Sequence, residues 1–204
     1  MSILLLGGSP AVPASSSRLL LHIGERLAER GHRYRRLHVR DLPAQALLHA
    51  DCADPAIVQA LAAVAQADVV IIATPVYKAS YTGVLKAFLD LLPQDGLAGK
   101  VVLPLATGGS QSHLLALDYA LRPVLQALAA RHVLTSIYAT SQQLQWQDEL
   151  GLTLAPEIAA RVDDGIEEVD AALSALAARR SAHAPAALPP ARSLRDAPYT
   201  PAVA

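Results

Sequence analysis

The 204-residue chain has one cysteine, one tryptophan, one phenylalanine and one methionine. A single cysteine, Cys52, excludes an intrachain disulfide and any cysteine-rich metal site. With no Cys-His pattern around it, Cys52 reads as a small, partly buried residue rather than a nucleophile. An excess of charge of one sign is also missing. The 17 Lys and Arg against 18 Asp and Glu leave a formal charge of −1, so nothing in the composition points to nucleic acid or an anionic membrane. Seven histidines are scattered, HExxH is absent and no close carboxylate pair stands at metal spacing, so no metal site is expected. No uninterrupted apolar segment is long enough to span a bilayer. The opening MSILLLGGSP lacks a basic region, and its apolar run is too short for a signal peptide; a cytoplasmic chain is expected. Neither the GKS/GKT of a Walker loop nor GxGxxG occurs.

What is present is a hydrophobic content of 52%, enough for a large core, in strands that alternate with helices. Residues 2–6 read as a first strand, stopped by Gly7-Gly8-Ser9-Pro10, and a helix follows from about Ser16 to Arg30. Tyr34–Val39 is the second strand, and Arg33, Arg35, Arg36 and Arg40 suit a solvated edge or a phosphate. Across 41–54, Leu42, Leu47 and Leu48 are expected to pack down. Asp54 caps a helix with Pro55 at its first position, running to about Gln66. Residues 69–73, VVIIA, form a buried strand stopped by Thr74-Pro75-Val76-Tyr77. Helix resumes near Ser80, with Val84, Leu85, Phe88, Leu89 and Leu92 at core spacing.

Residues 100–106, KVVLPLA, make the fourth strand despite Pro104, and Thr107-Gly108-Gly109-Ser110 follows. A long helix is expected over 111–130, with Leu114 and Leu115 among its apolar residues. Pro123 inside it predicts a kink or π-bulge around Leu117–Ala120. His132–Ala139 is the fifth strand, 140–155 a polar irregular stretch, and Pro156–Arg180 a last helix. One domain over 1–180 is expected, with 181–204 a Pro/Ala-rich flexible tail.

Five strands alternating with helices predict a three-layer α/β sandwich with a five-stranded parallel sheet in the order 2-1-3-4-5. The polar loops after strands one, three and four then converge at the switch point, outside the carboxyl ends of the strands. The first loop, leading into a helix N-terminus, suits either a phosphate or an ordinary capped turn. All three together fit one ligand. A phosphate sits on the first loop, and a flat polar ring lies between the Tyr77 loop and Thr107–Ser110, which describes FMN.

GSP near the amino end, ATPVYKASYTGVLKAFLDLLP and GKVVLPLATGGSQSHLLALDYALRPVL together resemble the NAD(P)H-dependent FMN reductases of the flavodoxin-like superfamily, and among them the alkanesulfonate-utilisation type. The resemblance runs from the first strand to about Leu134. It implies a flavodoxin-like fold and reduction of FMN by NADPH or NADH. The reduced flavin would be handed to a two-component monooxygenase that releases sulfite from organosulfonates. Carried over by motif, Ser9, Ser15 and Ser17 hold the phosphate, Thr74, Pro75, Val76 and Tyr77 lie against the ring, and Thr107, Gly108, Gly109 and Ser110 bind its polar edge. Many relatives carry an arginine shortly after the GS, where this chain has Ala11 and Val12. Arg18 comes later as the substitute, which suits FMN as a departing substrate. Tyr119 falls in a region that resembles a subunit contact next to the flavin. A homodimer or homotetramer is expected, since the helices at 80–92 and 111–130 carry more apolar residues than one core face requires.

Hydride transfer from nicotinamide to flavin needs no protein nucleophile, so no catalytic residue is assigned. Lys78 suits a phosphate of the nicotinamide nucleotide or a solvated helix start, and His113 a proton donor or a helix-start polar residue. Two other readings stay open. One is a quinone or azo reductase with tightly held FMN, the other a flavodoxin-like electron carrier.

Overall fold

A computed structural model of the chain describes residues 1–148 and 151–182. Five positions of a parallel sheet are filled in the order β2-β1-β3-β4-β5, with β6 beside β4 in continuation of β5. The strands are β1 (Ile3–Gly7), β2 (Tyr34–His38), β3 (Val69–Pro75), β4 (Val101–Gly108), β5 (His132–Val133) and β6 (Ile137–Thr140). This is the expected order, with β2 at one edge.

Alternate residues of the central strands feed two cores. Ile3, Leu5, Val69, Ile71, Leu103 and Leu105 pack against Leu19, Ile23 and Leu27 of α1 (Ser15–Glu29) and Ile158, Val162 and Ile166 of α6 (Pro156–Ala182). Leu4, Leu6, Val70, Ile72 and Val102 face the other layer. There they meet Ile57 and Val64 of α3 (Pro55–Gln66), Leu85 and Phe88 of α4 (Gly83–Leu89) and Leu125 of α5 (Arg122–Ala127). As expected, Asp54 caps α3, its carboxylate accepting from the N–H groups of Ala56 at 2.8 Å and Ile57 at 3.2 Å.

The fifth strand is broken, and Pro104 accounts for the break. Val102 accepts from the Leu134 N–H, so even-numbered residues of β4 direct their amide edges toward the fifth strand. Pro104 therefore lacks its donor on that side. β5 pairs at Val101 and Val102, pairing stops, and β6 resumes at Leu105. The other internal proline acts as expected: Leu117–Leu121 is a π-helix immediately before α5.

Several expectations need correcting. The long helix over 111–130 is instead a 3-10 turn (Gln111–His113), the π-helix and α5. Leu114 and Leu115 are exposed, because the turn rotates them off the core face. Residues 140–155 are not irregular. A 3-10 turn (Ser141–Gln143) leads into an antiparallel hairpin of β7 (Leu144–Gln147) and β8 (Gly151–Leu154). Leu48, at the end of the short α2 (Ala44–Leu48), is 75% exposed, whereas Ala46 and Leu47 are buried. Cys52 is exposed rather than partly buried. The last helix continues to Ala182, so the expected tail lies outside the described residues from 183 on.

Candidate active site

The loops after β1, β3 and β4 meet at the carboxyl end of the sheet, as the strand order requires. A cleft of about 250 Å³ opens among them. Ser9, Ala11, Pro13, Ala14 and Ser15 line it from the first loop, Pro75, Val76 and Tyr77 from the second, and Thr107, Gly108 and Gly109 from the third. Ser141, from the turn after β6, completes the wall.

The first loop is built for close approach. A Cβ on Gly7 would lie 2.3 Å from His38 Nδ1, and one on Gly8 2.7 Å from the Leu85 Cβ. Ser9 is buried, its hydroxyl accepting from the Ala11 N–H at 3.2 Å. Ala14 starts α1 without a side-chain cap, and the first helical bond runs from the Arg18 N–H to the Ala14 carbonyl. The preceding N–H groups, at the positive end of the helix dipole, are left for an anion or water. Ser16, unassigned in the sequence reading, is buried with an unpartnered hydroxyl in this same turn.

Arg40 is the cation the edge-strand reading left open. It stands in the 3-10 turn after β2, and its Nη1 donates to the carbonyl of Ala11 at 2.9 Å and of Ser9 at 3.3 Å. It also reaches the Ser17 hydroxyl at 3.4 Å. It therefore braces the first loop from behind.

The second loop is a tight hairpin. Tyr77 and Ser80 exchange backbone hydrogen bonds at 2.9 and 3.1 Å, and Lys78 and Ala79 both take positive φ (51° and 64°), the pattern of a type I′ turn. Thr74 is buried and spent on the loop itself. Its hydroxyl donates to the Pro75 carbonyl at 2.9 Å and accepts from the Thr82 N–H at 3.2 Å. Thr82, which the sequence reading missed, caps α4 and donates to the Gly8 carbonyl. The Val76 N–H donates to the Thr107 carbonyl at 2.7 Å and joins the second loop to the third.

The third loop rests on Tyr138. The buried tyrosine donates its hydroxyl to the Ser110 carbonyl at 2.6 Å, and a Cβ on Gly108 would come within 2.3 Å of that oxygen. Burial pushes the Tyr138 pKa up from its ordinary value. Gly109 differs: a Cβ there would meet nothing within 4 Å.

The cleft thus gathers Ser9, Ser15, Pro75, Val76, Tyr77, Thr107, Gly108 and Gly109. Five other predicted residues stand apart. Thr74 lies beneath the loop and Lys78 at its exposed tip, while the Ser110 hydroxyl accepts from the Ser112 N–H at 3.2 Å. Ser17 and Arg18 line a neighbouring groove, where the Arg18 guanidinium lies 4.2 Å from the centre of the Trp146 ring. Ser141 was recognisable as a site residue only once the sheet order was known.

The chain is similar to known proteins. The chain is 43% identical over 175 residues to an FMN reductase (NADPH) of Pseudomonas putida KT2440, covering 85% of this chain and 89% of the relative. It is 43% identical over 168 residues to an FMN reductase (NADPH) of Escherichia coli K12, covering 82% and 87%. The apo structure of an NADH:FMN oxidoreductase, EmoB, superposes with a TM-score of 0.76 at 42% identity, covering 85% of this chain and 89% of that one. The NADPH-dependent FMN reductase family model matches residues 1–145, a span containing all three loops and Ser141, and the chain belongs to that family.

Proposed function

We propose that this NAD(P)H-dependent FMN reductase takes FMN as an exchangeable substrate in the cleft and releases FMNH2 to a two-component flavin-dependent monooxygenase, with organosulfonates as the substrate class of that partner. The observation that carries the site reading is the convergence of an uncapped helix N-terminus and two further loops on one cleft.

The donors suit the group. The first turn of α1 and the Ser9 and Ser15 backbone would hold the phosphate, with the unpartnered Ser16 hydroxyl close by in sequence. Arg40 keeps that loop in shape through backbone carbonyls, and no arginine stands among the described residues that line the cleft. That favours a ligand that leaves. When bound, FMN supplies the ring that accepts a hydride from the nicotinamide. Val76 and Tyr77, which line the cleft, would cover one side of the ring and limit water there. The Gly109 N–H, on backbone where an added Cβ would meet nothing within 4 Å, would donate to the ring's polar edge. Lys78, at the exposed tip, would meet a nicotinamide-nucleotide phosphate.

No helix among the described residues is long and apolar enough to cross a membrane, and cytoplasmic residence is part of this proposal. So is self-association: Leu114, Leu115 and Tyr119 are 41%, 54% and 78% exposed on the segment beside the third loop.

The visible spectrum of the purified protein and its NADPH oxidation test the reading. A colourless protein that oxidises NADPH only with added FMN is expected. A yellow protein indifferent to added FMN would overturn it in favour of a quinone or azo reductase. A chain that fails to oxidise either nucleotide would point to an electron carrier.

A further inference from the structure

We infer that the groove behind the first loop is a subsite for an adenosine phosphate, the half that NADPH and FAD have in common. This rests on the FMN-reductase reading above and extends it beyond the cleft. The groove measures about 370 Å³, within the roughly 300–1,000 Å³ typical of small-molecule sites. Its walls come from α1, the end of β2 and the β7–β8 hairpin. Pro13 and Ala14 line both groove and cleft, so a ligand anchored in one can continue into the other.

The lining has the chemistry of a nucleotide site. Arg18, Arg36 and Arg40 face it against a single carboxylate among the described lining residues, that of Glu25. Arg18 and Arg36 form no ion pair among the described residues. Arg40 Nε is buried without a hydrogen-bond acceptor, its nearest carboxylate oxygen being that of Asp41 at 3.7 Å. The chain has one tryptophan, and it stands here. Trp146 is stacked by Arg18 yet 42% exposed. An indole and a guanidinium plane together make a platform for a flat base. The remaining guanidinium groups suit a phosphate, and Glu25 can accept from an exocyclic amine or ribose hydroxyls. A bare anion would leave the tryptophan unused, and an apolar ligand would leave the Arg36 guanidinium unmatched.

Trp146 makes the test direct, because its emission reports on the groove alone. The flavin-free protein is titrated with 5′-AMP, with adenosine 2′-phosphate and with inorganic phosphate. A saturable change with one or both adenosine phosphates, and none with phosphate at equal concentration, is expected. Arg36 is an exposed edge-strand residue, and Arg36→Gln should weaken that binding by about tenfold. Steady-state competition assigns the source: inhibition competitive with NADPH gives the groove to the nicotinamide nucleotide, and inhibition competitive with FAD gives it to the flavin. No saturable change, an equal change with phosphate, or unaltered affinity in Arg36→Gln overturns the inference. A chain that reduces FMN yet ignores AMP loses the subsite and keeps the proposed function. A chain that binds AMP but reduces no flavin supports the subsite while the proposed function falls.

Discussion

The Thr82 hydroxyl donates to the carbonyl of Gly8, 74 positions earlier in the chain, while accepting from the Leu85 N–H at 3.2 Å. One side chain thereby caps α4 and fixes the second loop to the first. Thr82→Ala should cost about 2 kcal/mol, the sum of a lost cap and an orphaned buried carbonyl. It should also raise the FMN concentration needed for half-maximal rate, whereas Thr82→Ser should restore both. Chemical denaturation and an FMN titration of the three proteins decide it. An alanine variant with wild-type FMN dependence would show that the two loops hold their positions separately.

Neighbouring glycines in the third loop should behave in opposite ways. Gly108→Ala drives a methyl against the Tyr138 hydroxyl and should destabilise the fold by about 1–3 kcal/mol. Gly109→Ala meets no atom within 4 Å, so stability should stay within about 0.5 kcal/mol of wild type. Its methyl would project from a residue that lines the cleft, and FMN should bind more weakly. Thermal unfolding beside FMN titration separates the two. Equal stability losses would mean the backbone here is packed differently from this account.

Stability should fall in two stages on acidification. Burial pushes the His22 and His38 pKa values below 6.5, helped by Arg26 at His22 and Arg40 at His38. In the folded protein these rings bind fewer protons than in the unfolded chain. Their contribution is therefore complete above pH 6.5 and is lost as pH falls through the depressed folded values. At Asp170 burial acts upward, but hydrogen bonds from Arg30 and His32, each 2.5 Å, outweigh it and hold the carboxyl below 3.8. That contribution is complete above pH 3.8 and disappears as pH falls through the folded value. Urea midpoints across the pH range should show both steps. Asp170→Asn should flatten the lower one and His22→Gln should shrink the upper. A single acid step, unchanged in both variants, would contradict the assignment.

Much of this architecture was legible from residues alone, and the exceptions have physical causes. The buried strands announced themselves because a parallel strand covered on both faces is apolar throughout. Asp54-Pro55 marked a helix start, and Pro123 marked the π-helix, because each acts on the backbone within one turn. The antiparallel pair of β7 and β8 escaped notice because LQWQ and GLTL bury little on either face. Leu114 and Leu115 fit a helical stripe in sequence, but the 3-10 turn before the π-helix shifts their phase. Thr82 was missed as a site residue, and Arg40 was left open between a solvated edge and a phosphate, for one reason. Each acts on a carbonyl far away in the chain, and nothing local in sequence reports that.

Pro104 has a consequence at the far edge of the sheet. By interrupting its neighbour, it leaves that border as two pairing stretches of two and four residues. Neither is long enough to template an incoming strand, and the opposite border carries Arg35 and Arg36. Both margins of the sheet thus resist strand addition. Edge-to-edge pairing of two copies of this chain is thereby disfavoured, so one imino ring inside the sheet guards a margin it does not itself occupy.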